Sequence, residues 1–165
     1  MSRLDSAIRR LQAQRDCLSQ AAELVREIDG PVLELGLGNG RTFDHLRELM
    51  SGRDIFVFDR RVAAHPDCVP DDEHLFIGDF LDTLPMAARR LGATAVLAHC
   101  DIGSGDTKAT AALAAAVSPM LVKLLAPGAV VVSDQRLELS RAEALPLPPG
   151  VADGRYYLYR VPATV

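Results

Sequence analysis

Apolar positions at the start of the chain recur at helical spacing. Leu4, Ile8, Leu11, Leu18, Ala21, Ala22, Val25 and Ile28 mostly fall on one face at a 3.6-residue period, which predicts a helix from about Ser2 to Ile28. Ser2 and Asp5 read as a capping box at its start, with Asp in place of the usual Glu or Gln. Asp29-Gly30-Pro31 is the stop. From Pro31 onward, short and almost wholly apolar runs alternate with amphipathic stretches. The runs predict strands at Val32–Leu35, Asp54–Phe58, His74–Ile77, Ala95–His99 and Ala129–Ser133. The stretches predict helices at Thr42–Met50, about Leu84–Leu91, and Thr107–Leu125. Pro119 is expected to kink or restart the last helix, and Ala126-Pro127-Gly128 to end it. Strands apolar on both faces and joined through helices imply a doubly wound, mostly parallel α/β sheet with helices on both faces, behind an N-terminal helix. The crossovers should be right-handed.

The tail reads differently. Pro146, Pro148, Pro149 and Gly150 interrupt structure, so the stretch from Ser140 to Gly150 is too Pro-rich to promise a strand. Tyr156–Val161 alternates like a final strand. At 165 residues, with no internal repeat, the expectation is one domain. It divides into an accessory helix (1–29), a core (31–134) and a short tail (135–165). The accessory helix packs on its own domain or pairs with a second chain as a homodimer.

Composition narrows the partners. Eighteen basic and 22 acidic residues leave a formal charge of −4, which disfavours nucleic acid. No apolar run approaches the roughly 20 residues of a membrane span, and the charged opening Ser2-Arg3-Leu4-Asp5 is not a signal peptide. Cys17, Cys68 and Cys100 are odd in number and lie far apart, so free thiols in a cytoplasmic setting are expected.

The chemistry concentrates after the first predicted strand. Val32-Leu33-Glu34-Leu35 runs into Gly36-Leu37-Gly38-Asn39-Gly40, a turn too tight for side chains, and then into a helix. A strand, a glycine turn and a helix N-terminus form a nucleotide cradle. The spacing Gly36-x-Gly38-x-Gly40 is one residue shorter than the dinucleotide fingerprint G-x-G-x-x-G. Glu34 lies where a carboxylate can meet a ligand's charged amine. Asp59 follows the second strand and suits a ribose diol, because one carboxylate accepts from two hydroxyls. Gly78-Asp79-Phe80 ends the third strand with an acceptor and an aromatic face for adenine. Arg60 joins this group by position and could read a 2′-phosphate. Neighbouring residues at a strand end point opposite ways, however, so it is read as solvated or subunit-facing.

In this ordered series the chain resembles the class I S-adenosylmethionine-dependent methyltransferases, over most of residues 31 to 134. The resemblance rests on Leu33-Glu34-Leu35-Gly36-Leu37-Gly38-Asn39-Gly40, Asp59, Gly78-Asp79-Phe80, Asp101 after the fourth strand, and Leu125-Ala126-Pro127-Gly128-Ala129-Val130. It implies a Rossmann-like sheet and S-adenosyl-L-methionine as cofactor. In that reading the glycine turn passes the methionine portion, Asp59 holds the ribose, and Asp79 and Phe80 frame the adenine. The chemistry of the ligand agrees: S-adenosylmethionine carries a sulfonium and an ammonium and no phosphate, so its site wants carboxylates. Two other classes stay open, a nicotinamide-dependent oxidoreductase and a non-catalytic module that binds or senses S-adenosylmethionine.

His99-Cys100-Asp101-Ile102-Gly103-Ser104-Gly105-Asp106 follows the fourth strand. His99 is either a general base for an acceptor hydroxyl or a buried side chain bonded to backbone. Asp101 faces either the methyl end of the cofactor or the acceptor. Cys100 reads as a small core residue and Asp106 as a helix N-cap. Asp134-Gln135 follows the fifth strand much as Asp-Asn does in metal-dependent catechol-type O-methyltransferases, so Asp101, Asp134 and Gln135 are the residues a Mg²⁺ site would use. The amide here is Gln and no lysine is clearly matched, and no metal is expected. The chain has almost no spare length between its motifs, which points to a small-molecule acceptor.

Overall fold

The structure, a computed structural model, describes residues 2–163. Helix α1 spans Arg3–Leu24 and opens on the predicted capping box between Ser2 and Asp5. The core elements follow as β1 (Val32–Leu35), α2 (Arg41–Leu49), β2 (Ile55–Asp59), β3 (Leu75–Ile77), α3 (Phe80–Leu91), β4 (Ala95–Cys100), α4 (Thr107–Leu121) and β5 (Leu125–Ser133). A two-residue strand, β6 (Glu143–Ala144), and β7 (Tyr157–Arg160) complete the seven-stranded sheet.

The strand order is β3-β2-β1-β4-β5-β7-β6. The pairings among the first five are parallel; β7 runs antiparallel to β5, and β6 to β7. The order reverses between β1 and β4, the place where open α/β sheets bind ligands beyond the carboxyl ends of their strands. Leu35 at the end of β1 lies beside Phe58 of β2 and Cys100 of β4, so these ends form one edge.

The sheet is covered on both sides. Val32, Val57, Leu97 and Val130 pack with Cys17, Leu18 and Leu46 beneath α1 and α2. Leu33, Leu35, Phe58, Ala98 and Cys100 pack with Leu84, Val117 and Leu121 beneath α3 and α4. Because successive side chains of a strand alternate in direction, Glu34 points with Val32 toward the α1–α2 side. Arg53 anchors the end of α1 by donating to the carbonyls of Arg26 at 2.9 Å and Val25 at 3.3 Å. The first half of α1 behaves differently from the second. Residues 3–12 are exposed apart from half-buried Ser6, and burial begins at Ala13.

Several boundaries depart from expectation for local reasons. Helix α3 starts at Phe80 rather than Leu84, because the Asp79 carboxylate caps it by accepting from Leu81 N–H at 3.0 Å; Pro85 lies inside it. Helix α4 runs through Pro119 to Leu121, and a 3₁₀ turn at Val122–Leu124 follows. Strand β5 begins at Leu125 and carries through Pro127-Gly128, with a register irregularity opposite Ala95–Leu97. Glu143 and Ala144 lie ahead of the prolines, so the Pro-rich stretch does supply a strand partner for β7.

Candidate functional site

The glycine turn is held from below and behind. Gly36 has φ +94°, and a Cβ there would stand 2.2 Å from the Asp101 carbonyl oxygen, so only glycine lets β1 and β4 come this close at their ends. Gly38, at φ +52°, faces open space. Its N–H and that of Leu37 donate to Asp59 Oδ2 at 3.2 and 2.9 Å. Asp59 therefore braces the turn while standing at the cleft wall. Gly40 serves packing: a Cβ there would meet Cys68 Cβ at 2.5 Å. Asn39 accepts from Arg41 N–H at 3.3 Å, at the start of α2.

A cleft of about 520 Å³ opens over this edge, with Gly36, Gly38, Asp59, Arg60, Phe80 and Asp101 in its wall. Ile102, Ser104 and Leu113 complete the far side. A smaller recess of about 170 Å³ adjoins it through Arg10, Gly38 and Asp101, and is also lined by Leu11, Gln14, Asn39, Arg41 and Thr42. A further cleft of about 420 Å³ lies by Asp54, at the amino ends of β2 and β3, and holds none of the predicted site residues.

The structure thus brings Gly36, Gly38, Asn39, Asp59, Arg60, Phe80 and Asp101 to one continuous surface. Gly78 is joined to Asp59 by its N–H, which donates to the Asp59 carbonyl at 3.0 Å. Asp79 is occupied twice, by Leu81 N–H and by the Arg60 guanidinium at 2.8 Å. These contacts, that with Leu81 N–H first, hold its carboxyl below the usual carboxylate range. Arg60 is correspondingly an exposed partner of Asp79 on the cleft wall.

Two residues stand apart from the sequence expectation. Glu34 is wholly buried, with Oε2 2.7 Å from His99 Nδ1 and Oε1 accepting from the Thr42 hydroxyl. It does not present a carboxylate to the cleft. Its parity on β1 aims it under α2, where β4 places His99 directly opposite. His99 is also wholly buried, and its ring stacks 6.2 Å from that of Tyr156. It is bonded neither to backbone nor to anything in the cleft, and its burial leaves it no exposure there from which to take a proton from an acceptor. Burial pushes its pKa down, but the charge and hydrogen bond of Glu34 outweigh this and hold it above the ordinary histidine range. The Cys100 thiol is pushed far up, chiefly by burial, which suits a core residue.

Asp101 is gripped from α1. Gln14 Nε2 donates to its Oδ2 at 2.9 Å, and Arg10 Nη1 lies 3.9 Å from the same oxygen. Sequence reading missed both. The available signal was Gln14, a polar residue beside Ala13 at the head of a buried stripe that continues through Cys17, Leu18 and Ala21.

Of the residues of the metal reading, Asp134 is bound up in the loop beside it. Asp134 accepts from Ile102 N–H at 3.1 Å and Gly103 N–H at 2.9 Å, and the Gln135 amide donates to it at 3.1 Å. It anchors the loop that carries Ile102 into the cleft. Asp106 caps α4 as predicted, accepting from Lys108 and Ala109 N–H. Among the described residues, no cluster of His, Cys, Asp or Glu is arranged to hold a metal, and no helix is long and apolar enough to cross a membrane.

The site fits a cationic adenosine ligand. The turn leaves room at Gly38, its wall carries Asp59 and Asp101, and Phe80 offers an aromatic face.

Comparison with known proteins agrees. Residues 1–161 match the family model described as S-adenosyl-L-methionine methyltransferase. The chain is 46% identical to an S-adenosyl-L-methionine methyl transferase from Silicibacter pomeroyi DSS-3, covering 97% of this chain and 98% of that one, with a TM-score of 0.92. Human methyltransferase-like protein 13, solved in complex with SAH, shares the fold at 16% identity and a TM-score of 0.57, over 90% of this chain and 78% of that one. An O-methyltransferase family protein from Burkholderia thailandensis does so at 14% identity and a TM-score of 0.53, over 98% of this chain and 59% of that one. No curated protein matches the chain.

Proposed function

Since this chain belongs to the S-adenosyl-L-methionine methyltransferase family, we propose that its acceptor is a small molecule, reached through the cleft where Asp101 meets α1. The observation that carries this reading is the size and position of the opening. The cleft and its recess share Gly38 and Asp101, and the cleft is of the size that small-molecule sites have. The formal charge of −4 likewise gives no general attraction for a nucleic-acid backbone.

S-adenosylmethionine supplies a methyl group already activated on a sulfonium. What the chain has to contribute is orientation, which in well-built sites supplies about 7–11 kcal/mol. Asp59 keeps the glycine turn closed and leaves Oδ1 facing little but Arg61 N–H, at 3.3 Å, free to accept from ribose hydroxyls. Asp101, fixed by Gln14, is the carboxylate best placed to hold an ammonium or to orient an acceptor. It is also the remaining candidate for a base, because His99 is enclosed. No metal enters this reading, and location in the cytoplasm goes with it.

Thermal shift with S-adenosylmethionine, S-adenosylhomocysteine, NAD and NADP tests the cofactor first. Ligand at 100 times its dissociation constant stabilises by about 2.7 kcal/mol. Stabilisation by a nicotinamide cofactor alone would overturn the reading. Labelled-methyl transfer across a small-molecule library, with and without Mg²⁺, then tests the acceptor. Transfer only to protein or RNA would sink the small-molecule proposal.

A further inference from the structure

Helix α1 lines a cavity on each of two opposite sides. Arg10 and Gln14 face Asp101 and the smaller recess beside the cleft. Arg9, Ala13 and Asp16 follow one another at spacings of four and three residues, so they share a face. At about 100° per residue that face lies nearly half a turn from Arg10 and Gln14. There a second cavity, of about 490 Å³, opens between α1 and the turn of the tail that carries Val151 and Arg155. It has no lining residue in common with the cleft or the recess.

The charge in this cavity is one-sided. The guanidinium groups of Arg9, Arg15 and Arg155 meet a single carboxylate, that of Asp16, a net of +2 on a chain of −4. Arg15 donates to Asp16 through Nε at 3.0 Å, which leaves its two terminal nitrogens for another acceptor. Among the described residues, Arg9 and Arg155 enter no ion pair and no side-chain hydrogen bond; the one bond of Arg155 outside the sheet is from its backbone N–H to the Ala152 carbonyl, at 3.1 Å. The nearest other acids do not offset this charge. Asp5, one turn before Arg9, is committed to Ser2, and Asp153 is exposed and outside the lining. The tail side of the cavity is anchored. Val151 packs against the core beneath α1 and donates its N–H to the Pro148 carbonyl at 3.1 Å, and half-buried Arg155 precedes the buried Tyr156.

We propose that this cavity is a second binding site, for a small organic phosphate monoester. Such a group carries about −1.5 to −2 at neutral pH, which matches the net charge of the lining. Guanidinium forks pair bidentately with phosphate oxygens, and three of them converge here. The volume exceeds what one phosphate fills and falls among those of small-molecule sites, so Ala13 and Val151 remain to contact the organic body.

Calorimetric titration of the whole chain with ribose 5-phosphate, inorganic phosphate and ribose tests the site. None of these carries adenine or a sulfonium, so the outcome does not depend on the methyltransferase reading. Ribose 5-phosphate should bind at least tenfold more tightly than either fragment. R9A/R155A should weaken it at least tenfold, with circular dichroism and the urea midpoint unchanged. R155K, which keeps the charge and loses the fork, should weaken it less than R155A. D16N, which raises the lining charge to +3, should tighten it. Ribose 5-phosphate that fails to bind at millimolar concentration, or binds equally to wild type and R9A/R155A, would overturn the proposal. So would inorganic phosphate or ribose binding as tightly as the ester. An RNA oligonucleotide held more tightly than ribose 5-phosphate through the same arginines would overturn it too, by making this face a nucleic-acid contact.

Discussion

Glu34 and Asp59 are carboxylates on adjacent parallel strands, and they have opposite roles. Leu35 sits beside Phe58, so Asp59 is level with Gly36 while Glu34 lies two residues deeper, about 6–7 Å at 3.3 Å per residue. Asp59 stands at the cleft wall and grips the glycine turn through Leu37 and Gly38. Glu34 is sealed beneath α2 with His99 and Thr42. One acid faces the cleft and the other faces the core, although both lie near the carboxyl edge of the sheet. Depth along the strand, rather than residue type, separates a cleft residue from a core residue.

The largest expected effect comes from the buried acid. Glu34→Ala removes one partner of an enclosed ion pair and leaves His99 without compensation. Breaking such a pair costs about 3–5 kcal/mol. Urea unfolding should show a loss in that range, with the fold retained at low temperature. An unchanged midpoint would mean that the pair does not hold β1 to β4, and the distinction from Asp59 would collapse.

Asp59→Ala should show the reverse balance. Its hydrogen bonds to the turn are partly exposed, so stability should fall less than in Glu34→Ala. Loss of charge-assisted contacts worth about 1.5–3 kcal/mol corresponds to roughly a 10- to 150-fold weaker ligand. Calorimetric titration with S-adenosylhomocysteine measures it. Equal affinity in wild type and variant would remove Asp59 from the ribose role.

This contrast also shows how far the sequence could be read. The order of strands and helices from Pro31 to Ser133 was legible, because apolar runs and glycine turns are local signals. The ends of elements were less so: the Asp79 N-cap is a short-range bond to Leu81 N–H that apolar periodicity does not register, and the passage of β5 through Pro127-Gly128 depends on its partner strands. The cluster of Gly36, Gly38, Asp59 and Phe80 followed from motif spacing, and the cleft contains all four. The direction of Glu34 was open to strand parity but not its depth, since depth depends on register with β2 and β4. The grip of Gln14 on Asp101 joins residues 87 apart, a contact that no local pattern encodes.

A third measurement sharpens the Glu34 side of the comparison through pH. His99 has a raised pKa when folded, so its contribution is fully present below the unfolded value of about 6.5 and is lost as pH rises through the higher folded value. The stability difference between wild type and His99→Gln should therefore shrink from about pH 6 upward. One proton limits the slope to about 1.4 kcal/mol per pH unit. Taking the difference between the two proteins cancels His74, whose pKa is also raised, first by its bond to Asp71. A difference that stays flat to pH 9 would show that His99 is neutral throughout and that Glu34 holds it by hydrogen bonding alone.

The smallest effect belongs to Arg60, on the Asp59 side. Its pairing with Asp79 at 2.8 Å is solvent-exposed, with the arginine side chain 74% accessible. Exposed pairs of this kind contribute about 0–1 kcal/mol, so Arg60→Ala should barely move the unfolding midpoint. Asp79 keeps its bond to Leu81 N–H in the variant, so the start of α3 stays capped. Affinity for S-adenosylhomocysteine should fall by no more than a few-fold, since that ligand brings no phosphate for a guanidinium to bind. A loss as large as that of Asp59→Ala would instead place Arg60 among the groups that hold the ligand. It would also widen the binding edge from one carboxylate to a carboxylate–guanidinium pair.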